Sequence, residues 1–326
     1  MQSILQFRPL LRSYYFGGQR LSSWNKKLSS LGAAESWEVS AYPEFSSIIN
    51  DGEFAGHSLA ELFPSHPDWW PTESLPLVKL LDVSSPLPIH VHPSDLQAQQ
   101  MPGKDPGKME AWVVLQAGSE SDVAIGFNRD YTADEVLRAT LNGELSKLLN
   151  HYSAEVGDIF LVPARTPHSA HDVVIWEVQQ PSDRSVFAEP HDIYGETVSQ
   201  STFETWANDF TMIVSLKSSA GHRLSSIWEP RPSFSGFGCP HFLVSGLTAN
   251  QQAIRLSYGI LTGIAERALV KLSGTTTVEV GPGTSVLLPM GIHNYSVIPL
   301  SSGTRLLHVR HPSRKDLDTL GNRGFK

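Results

Sequence analysis

The chain has 326 residues, 40% of them apolar and 18% charged, with a formal net charge of −8 and a pI near 5.9. That length accommodates two domains or one elaborated one. The acidic balance and the lack of clustered Lys and Arg exclude a nucleic-acid phosphate surface and point to a small-molecule partner. Cys239 is the single cysteine, so no intrachain disulfide forms, and no apolar run reaches the roughly 18 residues of a helical membrane span. The opening segment has arginines interrupting its short apolar runs and is not expected to act as a signal peptide, which leaves a soluble, cytoplasmic protein.

In chain order, SLAELF from Ser58 predicts a short helix. PIHVHP (88–93) follows, and in an extended strand its His90 and His92 share one face while Ile89 and Val91 point the other way, before Pro93 stops the strand. Two ring nitrogens then face one point, although a His-x-His pair taken alone is more often a solvent-exposed accident than a pair of ligands. EAWVVLQ reads as the next strand. TADEVLRATLNGELSKLL opens with a capping box, Thr132 with Glu135, and carries Val136, Leu137, Leu141, Leu145, Leu148 and Leu149 at helical spacing, interrupted at Gly143.

The remaining runs, DIFLVPA, DVVIWEVQ, RALVKLSG, TTTVEVG, SVLLPMG and TRLLHVR, are short, rich in β formers and bounded by Gly and Pro. Such a pattern predicts a mainly β fold, a barrel or jelly roll rather than an alternating parallel sheet. GDIFLVPARTPH (157–168) lines up with GTSVLLPMGIH (283–293), each with a glycine, five residues, a proline and then a histidine. Two related barrels are therefore expected: residues 1–220 with a helical insert at about 132–151, and a second, degenerate barrel over 221–326. The boundary falls near 210–235, where the β pattern lapses. The second barrel has no His-x-His, and its His293 stands alone, so no metal is assigned to it.

The His-x-His element and the Gly-x5-Pro segment with its following histidine resemble the two short motifs of the cupin superfamily, a resemblance that implies metal ligands at His90, His92, Glu110 and His168. Within the cupins the chain resembles the class I mannose-6-phosphate isomerases over most of its length, through YYFGGQRL, AESWEVS, NDGEFAGHSLAELF, VHPSD, GKMEAW, VPARTPHSA and WEVQQPSD. The resemblance implies two cupin-like jelly-roll barrels and a metal-dependent aldose-ketose isomerase interconverting mannose 6-phosphate and fructose 6-phosphate. Three imidazoles and a carboxylate suit zinc, with manganese, iron, cobalt or nickel as alternatives.

The family's lysine falls on Lys108 and its later carboxylate on Glu177, the candidate for proton transfer. Two positions depart from the family pattern. Glutamine is usual where this chain has His90, and an arginine is usual where it has Phe187, with Arg184 as the nearest substitute. The departure at Phe187 keeps open an isomerase of another, unphosphorylated sugar, or a non-catalytic sugar-binding protein. Arg165 and His171 are weaker candidates for phosphate contact and for support of the ligands. Of Trp24, Trp37, Trp69, Trp70 and Trp112, one or two are expected to line a sugar site and the rest to fill the core.

Overall fold

The Val- and Ile-rich runs pair into antiparallel sheets in the computed structural model, which describes residues 4–218, 222–224, 227–228, 236–249, 252–272, 277–291 and 295–321. Among these, the larger sheet runs His222–Leu224, Ile159–Val162, Glu110–Phe127, His168–Gln179, Leu77–Val83, Glu35–Val39 and Leu10–Arg12. The short strands His90–Val91 and Val186–Phe187 join it off this path. A second sheet is built from the C-terminal part, with Thr304–Arg310, Gly259–Ala265 and Ser285–Leu288 at its centre, and a four-stranded sheet packs with it. The mainly β architecture expected from the short runs is what forms.

The halves are laced together. The N-terminal strand Leu5–Arg8 pairs with Ser285–Leu288, Leu5 opposite Leu287, and Ile48–Ile49 extends that sheet through Phe7. Val113 and Trp176 of the larger sheet lie in one continuous core with Leu287, Leu307 and Val309, and Trp176 Nε1 donates to Thr262 Oγ1 at 3.1 Å.

Both capped helices start where the sequence marks them. Ser58 and Glu61 form a capping box on Leu59–Leu62, and Thr132 and Glu135 form one on Ala133–Leu141, which ends before Gly143 at φ +68. A 3-10 turn, Leu145–Leu148, follows. The helix Gln200–Ile213 has no counterpart in the sequence reading. Its buried stripe is narrow, Phe203, Ala207, Phe210 and Ile213, and lies among polar residues, so the 3.6-residue period is weak. It packs Phe210 and Ile213 beside Val136 and Phe127. The short helix Asp95–Ala98 and the C-terminal helix Arg314–Gly321 are likewise unanticipated. His293 and most of 219–235 lie outside the described residues.

Candidate active site

Strand pairing brings His90 beside His168, which are register partners, and Phe187 pairs with His90 on its other side. Glu110 reaches the same point from much farther away. It is opposite Gln179 at one end of the His168–Gln179 strand, whereas His168 is opposite Ile125 at the other. A straight strand of that length would hold them about 35 Å apart. Register shifts between His171 and Val173 and between Val174 and Ile175 bend the strand, and the curled sheet closes until Glu110 Oε1 is 3.0 Å from His168 Nε2. His92 Nε2 lies 3.3 Å from Glu110 Oε2. Ligating atoms of His90, His92 and His168 all fall within 4.8 Å of one another, and the three rings are buried.

Each imidazole is held by a backbone carbonyl at Nδ1: His90 by Pro88 O, His92 by Arg184 O and His168 by Thr166 O, all at 2.8 Å. A carbonyl only accepts, so each Nδ1 carries a proton, and in the neutral tautomer this fixes, Nε2 is the lone-pair nitrogen aimed at the centre. Burial, then the neighbouring imidazole His168, holds His90 well below the ordinary histidine range. Burial and the Lys108 charge push His92 down to about 3.

Nε2 of His92, Nε2 of His168 and both Glu110 oxygens are buried with no hydrogen-bond partner. Acceptors therefore face acceptors at 3.0 to 3.3 Å, an arrangement that is repulsive unless a cation sits among them. The donor set, imidazole nitrogens with a carboxylate, is the one that holds zinc or a similar divalent transition metal.

Lys108 Nζ stands 3.1 Å from Glu110 Oε2, in a buried pair. Burial opposes the Lys108 charge, but Glu110 and Glu177 outweigh it and raise its pKa. Burial likewise opposes ionisation of Glu110, and the Lys108 charge overcomes it, holding the carboxyl well below its usual range. Glu177 behaves in the opposite way: burial and the like charge of Glu110 raise its pKa against the pull of Lys79 and Lys108. Its Oε2 accepts from Trp112 Nε1 at 2.8 Å, its Oε1 lies 3.4 Å from Lys79 Nζ, and that Oε1 has no hydrogen-bond partner.

A cavity of about 130 Å³ opens beside this centre, and His90, Lys108, Trp112, Glu177 and Phe187 line it. Five of the sequence candidates, His90, His92, Glu110, His168 and Lys108, thus meet at one centre, and Glu177 faces the same cavity. Arg184 does not line it. The Arg184 guanidinium donates to Pro102 O at 2.8 Å, and only its backbone carbonyl reaches the centre, through His92. Arg165 takes a left-handed φ of 71 and donates from Nε to Ile213 O, away from the cavity. His171 sits at the strand irregularity, outside the cluster. All five tryptophans are buried, and Trp112 is the one that lines the cavity.

Arg12, Glu35, Lys79 and Asp183, which no sequence motif marks as site residues, also stand on the cavity wall. Lys79 lies 3.7 Å from Glu35, and its Nζ stands over the Trp37 ring, 4.7 Å from the centroid. The only sequence signal for the first three is alternation: Arg12, Glu35 and Lys79 sit on strands whose register places them side by side.

No family model matches the chain. Mannose-6-phosphate isomerase ManA of Bacillus subtilis is 28% identical over 184 residues, 55% of this chain and 58% of that protein. The chain thus spans somewhat more than half the length of the curated relatives it matches. The crystal structure of the mannose 6-phosphate isomerase from Bacillus subtilis superposes with a TM-score of 0.79 at 23% identity, covering 95% of this chain and 100% of that one. A mannose 6-phosphate isomerase bound with zinc and yttrium superposes with a TM-score of 0.71 at 18% identity, covering 96% and 100%. Over about half its length the chain is similar in sequence to mannose-6-phosphate isomerases, and over nearly all of it the chain shares their fold.

Proposed function

We propose that the protein is a metal-dependent aldose-ketose isomerase that interconverts mannose 6-phosphate and fructose 6-phosphate. The observation that carries this reading is the set of bare, mutually facing acceptors, His92 and His168 Nε2 against the Glu110 carboxylate, opening onto a cavity that also holds Lys108 and Glu177. His90, His92, Glu110 and His168 are its metal ligands in this reading, and zinc is the metal, as in one structural neighbour. A divalent cation bound there supplies Lewis-acid polarisation of the sugar oxygens.

The reaction moves a proton between C1 and C2 while negative charge develops on those oxygens. Lys108 carries a permanent positive charge at the centre and stabilises that developing charge. Glu177, buried and raised in pKa, is the proton-transfer group: its Oε1, which has Lys79 Nζ at 3.4 Å but no hydrogen bond, takes the proton, and Trp112 fixes the other oxygen. In the same reading residues 1–220 form the catalytic cupin domain and 221–326 a degenerate second one, and the enzyme works in the cytoplasm.

An assay of mannose 6-phosphate conversion after chelation, and again after zinc is restored, tests the reading. Turnover that depends on added metal is expected, and no interconversion with any divalent metal would overturn it. Phe187 in the cavity wall favours a second reading, an unphosphorylated sugar as substrate. Comparing mannose with mannose 6-phosphate separates the two.

A further inference from the structure

Phe187 packs at the histidine end of the cavity, its ring centroid 5.7 Å from that of His90, so it provides no charge there for an anionic substrate. Arg184 points elsewhere. The cations that line the cavity among the described residues are Arg12, Lys79 and Lys108. Two of these are already committed to buried carboxylates: Lys108 to Glu110 at 3.1 Å, and Lys79 to Glu177 and Glu35 at 3.4 and 3.7 Å.

Arg12 differs from both. Its side chain keeps 15% of its exposure, and its one ion-pair partner is Asp183, which accepts from Nη1 at 2.8 Å and is itself 32% exposed on a loop. The guanidinium is stacked over Phe45, 4.2 Å from the ring centroid, with Trp37 at 5.0 Å and Tyr14 at 5.2 Å. Such stacking fixes the plane of the fork and leaves donors beyond Nη1 for a second acceptor, the geometry in which arginine binds phosphate.

Register fixes its position relative to the chemistry. Arg12 is opposite Glu35, Glu35 opposite Leu81, and Leu81 opposite Ile175, so three strand-to-strand steps, about 14 Å, separate its backbone from the strand of Glu177. Side chains from both ends line the same cavity, so the guanidinium and the Glu177 carboxylate face one space from separate walls.

We propose that Arg12, and neither residue 187 nor Arg184, recognises the phosphate of the substrate, so that this cavity selects a phosphorylated sugar from an opposite wall. The inference rests on the isomerase reading for the identity of the sugar, and on the wall geometry alone for the anion. Calorimetry with mannose 6-phosphate and with mannose, on the zinc-loaded protein, separates the two, because it does not need turnover. Wild type is expected to bind the phosphorylated sugar more tightly by about tenfold to a hundredfold, as expected for one or two charge-assisted hydrogen bonds. Arg12→Gln should abolish that preference while leaving affinity for mannose and zinc content unchanged, and Arg12→Lys should restore part of it.

Kinetics should show the same loss in KM rather than in kcat. A wild type without the preference, or an Arg12→Gln variant that keeps it with its zinc and thermal midpoint intact, overturns the proposal. Should Arg12→Gln lose its fold, Arg12→Lys decides: undiminished preference in that variant, which keeps the charge but not the fork, also counts against the assignment. Selective binding without conversion would refute the isomerase reading and leave Arg12 as the phosphate site.

Discussion

Replacing His92 by alanine tests the ligand set most directly. In the wild-type protein its Nε2 is bare, buried and 3.3 Å from a carboxylate oxygen that itself lacks a hydrogen bond. The substitution changes no formal charge at the centre, because burial and Lys108 keep that imidazole neutral with a pKa pushed down to about 3. What is lost is one donor of four. Structural zinc sites bind with about 10–16 kcal/mol over four ligands, so one ligand is worth about 3 kcal/mol, or more than a hundredfold in dissociation constant.

The metal-free variant loses one acceptor-to-acceptor repulsion but also the buried ring and its bond to Arg184 O, so the informative difference between the two proteins is the shift each shows when zinc is added. At free zinc near 100 times the wild-type dissociation constant, binding stabilises the wild type by about 2.7 kcal/mol, a rise of roughly 5 °C in thermal midpoint. Elemental analysis after dialysis, together with the zinc-induced midpoint shift, should show both effects gone in His92→Ala. Both should remain in His171→Ala, a nearby histidine outside the cluster. Stoichiometric zinc retained in His92→Ala, or lost in His171→Ala alone, would refute the ligand assignment.

Glu177→Gln should keep the metal but lower turnover by about a hundredfold or more. Because burial raises the Glu177 pKa, the acid limb of the wild-type kcat/KM profile should lie above the ordinary carboxylate range and disappear in that variant. Stability should report a different histidine. His308 is buried, its Nε2 donates to Tyr258 O at 2.8 Å, and burial depresses it from 6.5 to about 4. Between those values the unfolded chain binds a proton that the folded one does not. Stability therefore falls as pH drops from 6.5 towards 4, and the His308 share of that fall is about 3 kcal/mol. Urea unfolding across that range should show the slope, and His308→Gln should reduce it, leaving the part that the depressed His90 and His92 contribute.

Much of this arrangement could be read from local pattern. His90 and His92 share a face because strand side chains alternate, and Thr132 with Glu135 marks a helix start within four residues. Such signals need no knowledge of the rest of the chain. The helix Gln200–Ile213 stayed hidden because its buried face is only four residues wide. The pairing of Leu5 with Leu287 joins the two extremes of the chain, and no local pattern encodes it. The wall residues Arg12, Glu35 and Lys79 are adjacent only through the register of three strands, and a slip of one residue would turn each to the other face. Arg184 misled because proximity in sequence to Phe187 says nothing of direction: its carbonyl serves His92 while its guanidinium leaves for Pro102.

The N-terminal FGGQRL segment acquires a physical reason once the closure of the sheet is considered. His168 meets Glu110 only because the strand between Ala170 and Ile175 is bent, with Asp172 at a left-handed φ of 52. A non-glycine residue is strained there and needs partners to hold it. Asp172 has them: Oδ2 accepts from the Glu120 backbone N–H at 3.0 Å, and Oδ1 accepts from Arg20 Nη1 at 3.1 Å.

Arg20 is itself anchored by Asp82 through Nε at 2.8 Å and its own backbone N–H at 2.7 Å, and it donates to Val173 O beside the bend. The two glycines before it permit that approach, since a Cβ on Gly17 would sit 2.5 Å from Ala34 N and one on Gly18 would sit 2.2 Å from Ser84 Oγ. A glycine pair thus admits an arginine, the arginine pins a strained aspartate, and the bend held there lets two residues from opposite ends of paired strands face one centre. The convergence of His168 and Glu110 is a consequence of that chain of contacts.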